Sequence, residues 1–347
     1  MQQRLPKFRR EPGALINKRI TPRSLAIIDA IHRHRLLPTS LLVRLVPGDT
    51  RQTQQHLQML FHRGLVNRFA FPKVGRAGEF HYYLDNTQAL DLLVREGSHP
   101  DDLDYEGVRR NKEKSYADIH NPAKAEEAHS RLLFLQHEAM ISRFHATLEL
   151  ACVKTNGAVV LASWRQGASL WHQVRAPKLS YRGVDMEGNR IYEESGDEVL
   201  PHRPDAFFSL YYPNQPEGKQ WASFIYEADR KTTNVTRHNR KLRAHFQFIV
   251  KQKLHELTYG IKRIRAVLIE TLDDAWAEHL RQAAADYEVS GPKPSPLFWF
   301  TTSRLFTQPQ VSGVGEGSLP TYLTHPEIIF QPIWATPADE RAYSLLD

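Results

Sequence analysis

Residues 21–84 constrain the fold more tightly than any other stretch of this chain. Three helix signals follow one another, each with its own start and stop. Thr21-Pro22 supplies a capping hydroxyl and then a proline at a position where a missing N–H costs nothing. Leu25, Ile28 and Ile31 follow at helical spacing and predict one buried face. Thr39-Ser40 opens a short second helix carrying Leu41, Leu42, Leu45 and Val46, ended by Pro47-Gly48. Asp49 or Thr50 caps a third, Arg51 to Arg63, which Gly64 closes as a residue able to turn left-handed. Two β-prone runs come next, Leu65–Ala70 and Glu79–Leu84. They are joined by Phe71-Pro72-Lys73-Val74-Gly75-Arg76-Ala77-Gly78, a hairpin tip with two glycines and two cations.

Three helices followed by a two-stranded wing is the layout of a winged helix, a variant of helix-turn-helix. The third helix carries the functional signal. Leu57, Leu60 and Phe61 form its inner side, while Arg51, Gln52, Gln54, Gln55 and Gln58 line the outside. Arginine and glutamine form bidentate hydrogen bonds to guanine and adenine edges, and Lys73 and Arg76 at the wing tip suit phosphates. The expected partner is therefore double-stranded DNA. Asn86–Glu96 continues as a further helix that either packs on the wing or pairs two protomers in a homodimer. The expected winged-helix domain is residues 21–96, preceded by a basic arm (1–20) and followed by a polar linker (97–122).

Bulk properties narrow the class. The 347 residues suffice for two domains with separate cores. No run approaches the roughly 18 apolar residues of a membrane helix, and the basic N-terminus is followed by no apolar signal core. The expectation is a soluble, cytoplasmic protein without a membrane span. A single cysteine, Cys152, excludes a disulfide framework and a thiolate-rich zinc site. The net charge of +7 suits a polyanionic partner. His32 and His34, like His56 and His62, lack the i, i+4 spacing of a helical metal pair, and Gly313-Val314-Gly315-Glu316-Gly317 lacks the lysine of a phosphate-binding loop.

In the second half, a long helix is predicted over 123–151 and a short strand over 158–163. Residues 165–200 are polar and poorly patterned, reading as loops around a hairpin. Asp205–Tyr212 and Trp221–Ala228 read as strands, Thr236–Leu257 as a strongly basic helix, Ile264–Ile269 as a strand, Asp273–Tyr287 as a helix and Leu297–Thr301 as a last strand. This predicts an α+β or α/β domain over 123–306, a mixed sheet flanked by helices, with a C-terminal extension from 307 to 347.

The candidate chemistry lies at Pro204-Asp205 and at Glu227-Ala228-Asp229-Arg230-Lys231. Strand alternation would project Glu227, Asp229 and Lys231 together, with Asp205 on the neighbouring strand. Clustered carboxylates invite a hard cation such as Mg²⁺, which would polarise a phosphodiester and activate water. Arg237, Arg240, Lys241 and Arg243 form either a phosphate-binding stripe or simply an exposed helix face.

These residues resemble the PD-(D/E)xK nuclease superfamily, whose core the element order matches. More narrowly, the winged helix followed by Arg203-Pro204-Asp205 and Tyr226-Glu227-Ala228-Asp229-Arg230-Lys231-Thr232 resembles the replication-relaxation family, over roughly residues 20 to 306. That resemblance implies a DNA-binding protein of a plasmid or other mobile element, and a restriction-endonuclease-like second domain. It implies Asp205, Glu227 and Asp229 as metal ligands. Two registers stay open. In one, Asp229-Arg230-Lys231 is the D-x-K element. In the other, Glu227 is the acidic member, Asp229 stands where lysine is expected, and Lys241 on the following helix takes the lysine's place. Two functions stay open with them: a Mg²⁺-dependent DNA endonuclease or nicking enzyme, and a non-catalytic replication or transcription factor that uses an inactive nuclease-like core as a clamp or oligomerisation module.

Overall fold

Thr21 begins the first helix by accepting from Ser24 N, with Ser24 returning the bond to the Thr21 N–H and Pro22 in the first turn. The computed structural model describes residues 9–11, 13, 15, 17–71, 78–113, 125–186, 188, 190–232, 234–308 and 319–347. The chain divides into two compact units, residues 1–146 and 147–347.

In the first unit, helix α1 (Pro22–His34) leads through a two-residue strand, β1 (Leu37–Pro38), into α2 (Thr39–Leu45) and α3 (Thr50–His62). Asp49 is the cap of α3, accepting from Gln52 N at 2.8 Å, and Gly64 takes φ +73° beyond its end. Strands β2 (Asn67–Ala70) and β3 (Phe80–Tyr83) follow, and β1 adds to them in the order β1-β3-β2, antiparallel throughout. The inner faces are apolar: Ile27, Ile28, Ile31, Leu41, Leu42, Leu57 and Leu60 are fully buried. Helix α4 (Gln88–Arg95) comes next.

The stretch expected to be an irregular linker contains a helix, α5 (Tyr105–Glu113). Its start is held by Asp104, whose Oδ1 accepts from Gly107 N at 2.8 Å. In the N-terminal arm, Arg10 Nη2 donates to Asp85 Oδ1 at 3.0 Å and to the Val66 carbonyl at 3.2 Å, so this arm residue is docked. The division between the units falls inside the long helix α6 (Ala125–Lys154).

The second unit is built on a mixed seven-stranded sheet. Its strands are β4 (Val160–Gln166), β7 (Ala206–Tyr211), β8 (Trp221–Ala228), β9 (Ala266–Thr271), β10 (Phe298–Thr302), β11 (Trp334–Ala335) and β12 (Ala342–Tyr343), in the order β12-β11-β10-β9-β8-β7-β4. Pairings β8–β9 and β9–β10 are parallel and the rest antiparallel. A separate two-stranded ribbon, β5 (His172–Val184) and β6 (Arg190–His202), occupies the stretch expected to be mostly loop.

The basic helix expected over 236–257 is three pieces: α7 (Val235–Phe246), a π-helical turn (Gln247–Lys251) and α8 (Leu254–Tyr259). Helices α9 (Asp274–Ala283) and α10 (Tyr287–Ser290) join β9 to β10, and α11 (Arg304–Thr307) and α12 (Thr321–Thr324) precede β11. Leu242 of α7 and Leu280 of α9 pack with Phe207, Ile225, Val267 and Phe298 of the sheet in one core. Because β7 and β8 are central, their side chains from Ala206 to Leu210 and from Ala222 to Ala228 are all buried, as both faces of a central strand require.

Candidate functional site

Sheet register brings the first two acidic residues together. Ala206 pairs with Tyr226 in the antiparallel β7–β8 ladder, so Asp205, one step before β7, lies across from Glu227. Residues directly opposite in such a ladder have Cβ atoms about 5 Å apart. The position is locked by Asp205 Oδ2, which accepts from the Ala228 N–H at 2.8 Å.

Helix α7 covers this pair. Asn234 caps it by accepting from Arg237 N at 2.9 Å, and His238, Lys241 and His245 follow at i, i+3 and i+7, one stripe of the helix. That stripe faces the ends of β7 and β8. Lys241 Nζ donates to Glu227 Oε2 and lies 3.9 Å from Asp205 Oδ2. His245 Nε2 is 2.6 Å from the other Glu227 oxygen, Oε1. Glu227 is only 4% exposed.

The electrostatics follow from this enclosure. Burial raises the Glu227 carboxyl well above its ordinary range; Lys241 opposes the rise and Asp205 adds to it. Burial alone would lower Lys241, but the charges of Asp205 and Glu227 outweigh it and hold the ammonium above its usual value. Burial, reinforced by Lys241, depresses His245 to about 3, so its imidazole is neutral. Charged groups kept out of water at this cost are enriched at functional sites.

Asp229 and Lys231 do not project with Glu227 as strand alternation predicts. Strand β8 ends at Ala228, and Lys231 turns left-handed at φ +58°. Asp229 instead accepts from Trp276 Nε1 at 2.9 Å and from the Lys231 N–H at 2.7 Å, with His238 Nδ1 at 3.8 Å. The Lys231 ammonium lies 3.8 Å from Asp273 and 5.4 Å from the centre of the Trp276 ring. Asp229 still adds to the negative field on Lys241. Asp205, Glu227 and Asp229 do not bring one ligand atom each within 4.8 Å of one another. Lys241, and not Lys231, is thus the lysine that lies beside Asp205 and Glu227.

The donor set fits a hard divalent ion on two carboxylates. Mg²⁺ keeps most of its water and needs only one or two protein carboxylates. Asp205 and Glu227 are adjacent across the β7–β8 ladder, with Asp229 outside the set.

Elsewhere on α7, exposed Arg240 donates to Glu198 Oε2 at 2.8 Å and buried Arg243 to Glu198 Oε1, which turns both toward the ribbon. Arg240 is thus committed to an ion pair. Arg237 is exposed and has no side-chain partner among the described residues.

In the first unit, Arg51, Gln52, Gln54 and Gln55 are exposed on α3 and Gln58 is half-buried, opposite the buried Thr53, Leu57 and Leu60. Lys73 and Arg76 lie outside the described residues. Sequence reasoning missed His238 and His245. The signal available was their spacing around Lys241 on a helix expected to follow the acidic strands. Among the described residues, no helix is long and apolar enough to cross a membrane.

A family model described as replication-relaxation matches residues 28–262, a span that includes α3, Asp205, Glu227 and Lys241. No curated protein and no solved structure matches the chain.

Proposed function

Because the chain belongs to the replication-relaxation family, we propose that it is a DNA-binding protein of a plasmid or other mobile element, acting in replication or relaxation. In this reading the N-terminal unit is a winged helix that takes duplex DNA. The second unit is a nuclease-like domain that acts on the phosphodiester backbone at Asp205, Glu227 and Lys241.

The observation that carries the reading is the convergence of Asp205, just before β7, Glu227 of β8 and Lys241 of α7 onto one partly buried cluster. An ion pair whose carboxylate is buried is weak as a source of stability, because desolvation offsets much of the attraction. The cluster's composition matches the D, E and K of the nuclease motif.

Asp205 and Glu227 would hold Mg²⁺, which when bound supplies Lewis-acid polarisation of a phosphoryl oxygen and a more acidic water. Lys241 would then stabilise negative charge growing on a non-bridging oxygen. The neutral imidazole of His245 fixes the orientation of Glu227. The Asp205 bond to the Ala228 N–H holds the two carboxylates in register.

One observation favours the second reading, a clamp that grips DNA without cutting it. Both Glu227 oxygens are already engaged, by Lys241 and by His245. Incubating supercoiled plasmid with Mg²⁺ or Mn²⁺, and with EDTA, separates the two. Nicking that needs metal and disappears in Asp205→Ala, Glu227→Ala and Lys241→Ala, with duplex binding kept, supports the nuclease. Absence of nicking by the wild type on several DNAs, with duplex binding intact, supports the clamp.

A further inference from the structure

At the opposite end of β8 from Glu227, the second unit has a cavity of about 730 Å³. Trp221 and Glu227 are six steps apart along an extended strand, about 20 Å. The walls come from the β7–β8 turn (Lys219), the start of β8 (Trp221), the segment leading into β9 (Lys262, Arg263, Arg265) and the C-terminal residues (Asp347). The volume is in the range of small-ligand pockets, yet the lining is not that of an apolar ligand site.

Four cations face one carboxylate. Lys219, Lys262 and Arg263 are exposed and make no side-chain hydrogen bond or ion pair among the described residues. Arg265 is half-buried, and burial lowers its guanidinium while Tyr212 and Asp347 offset part of that. Asp347 is itself 3.6 Å from Arg341. The groove therefore carries a net positive charge.

Its aromatic residue is equally unusual. Trp221 is 62% exposed, and its ring is backed by Tyr211 with centroids 4.9 Å apart. Trp171, the other strongly exposed tryptophan among the described residues, is covered by the Arg203 guanidinium 5.1 Å from its ring. Among the described residues, no cation lies over the ring of Trp221. An exposed, supported indole beside unpaired cations is the combination that binds single-stranded nucleic acid: bases stack on the ring while cations follow the backbone.

We infer that this groove binds a single-stranded nucleic-acid segment, with a base stacked on Trp221 and phosphates on Lys219, Lys262 and Arg263. The site lies at the far end of β8 from the Asp205–Glu227–Lys241 centre, and it does not require that centre to cut.

The test is fluorescence anisotropy of an end-labelled dT12 oligonucleotide in EDTA, run beside a labelled duplex of the same length. Wild-type protein is expected to bind dT12, with affinity falling as salt rises. Trp221→Ala weakens dT12 binding by about tenfold or more, the contribution of one stacked base, while Trp221→Phe keeps most of it. Lys262→Glu combined with Arg263→Glu lowers the salt slope by about 0.7 for each phosphate that is no longer neutralised. All of these variants keep wild-type duplex affinity. The groove inference is overturned if Trp221→Ala binds dT12 as the wild type does, or if the charge-reversed variant keeps the full salt slope. Duplex binding without any dT12 binding overturns the groove alone; binding of neither DNA also removes the DNA reading proposed above.

Discussion

His202 shows what a single residue's surroundings imply. It is fully buried, stacked on Phe248 with ring centroids 3.8 Å apart, and meets His245 edge-on at 4.8 Å. Burial first, then His245, His172 and Lys241, holds its imidazole well below the ordinary value. The folded protein therefore leaves His202 neutral, while the unfolded chain protonates it below pH about 6.5. The unfolded state then binds the extra proton, so stability is full above that pH and falls as the pH drops beneath it. One such group contributes a slope of up to about 1.4 kcal/mol per pH unit. His202→Phe keeps a ring against Phe248 and removes the proton. Urea midpoints are expected to show about 1 kcal/mol less acid destabilisation in the variant between pH 6.5 and 5.5. Superimposable stability curves for the two proteins would mean that His202 titrates as an ordinary histidine.

At the scale of elements, the proposed DNA reading can be tested on helix α3. Its exposed Arg51 and Gln55 lie on the side opposite its buried residues. If they read bases, Arg51→Ala and Gln55→Ala each reduce discrimination between a selected duplex and a scrambled one by about 1–3 kcal/mol. Competition binding at fixed salt measures this, and an equal loss on both duplexes would assign the two residues to phosphates instead. This helix was legible because every local signal agreed: cap, period and terminal glycine. Strand β8 was legible as Trp221–Ala228 for the same reason, being buried on both faces and β-prone throughout. The ribbon was not. Its buried positions, Val174, Ala176, Leu200 and His202, lie at one end of the hairpin, and the rest of both strands faces solvent without an apolar period of two to mark their bounds. The candidate site was legible in its Asp205–Glu227 pairing and, as one of two registers, in Lys241. Asp229 and Lys231 were misplaced because alternation was carried past Ala228, where the backbone leaves the strand. His245 went unread: its spacing from Lys241 was visible, but its partner Glu227, 18 residues away in sequence, is set by tertiary packing.

The whole molecule turns the C-terminal extension from an appendage into part of the sheet. Strands β11 and β12 continue the ladder beyond β10, so the sheet ends there on a two-residue strand, and a very short edge strand offers little backbone to other chains. Trp334 of β11 is fully buried, Tyr343 of β12 stacks on Trp299 with centroids 4.9 Å apart, and Tyr212 donates to the Leu345 carbonyl at 2.7 Å. That last bond anchors the segment whose neighbours, Leu346 and Asp347, form one wall of the cationic groove. Stability and the groove are therefore coupled through one short stretch of chain. Trp334→Ala removes the largest fully buried side chain of the extension, a change that costs about 3–5 kcal/mol in a packed core. A unit of this size shifts its melting temperature by about 2–4 °C for each kcal/mol. Calorimetry should therefore find the transition of the second unit lowered by roughly 10 °C. Because β11 and β12 are short and lie at one edge, the loss should also appear at lower temperature as faster proteolysis after residue 331, before the central strands open. A melting temperature unchanged by Trp334→Ala would show that the extension detaches freely and that the groove wall does not depend on it.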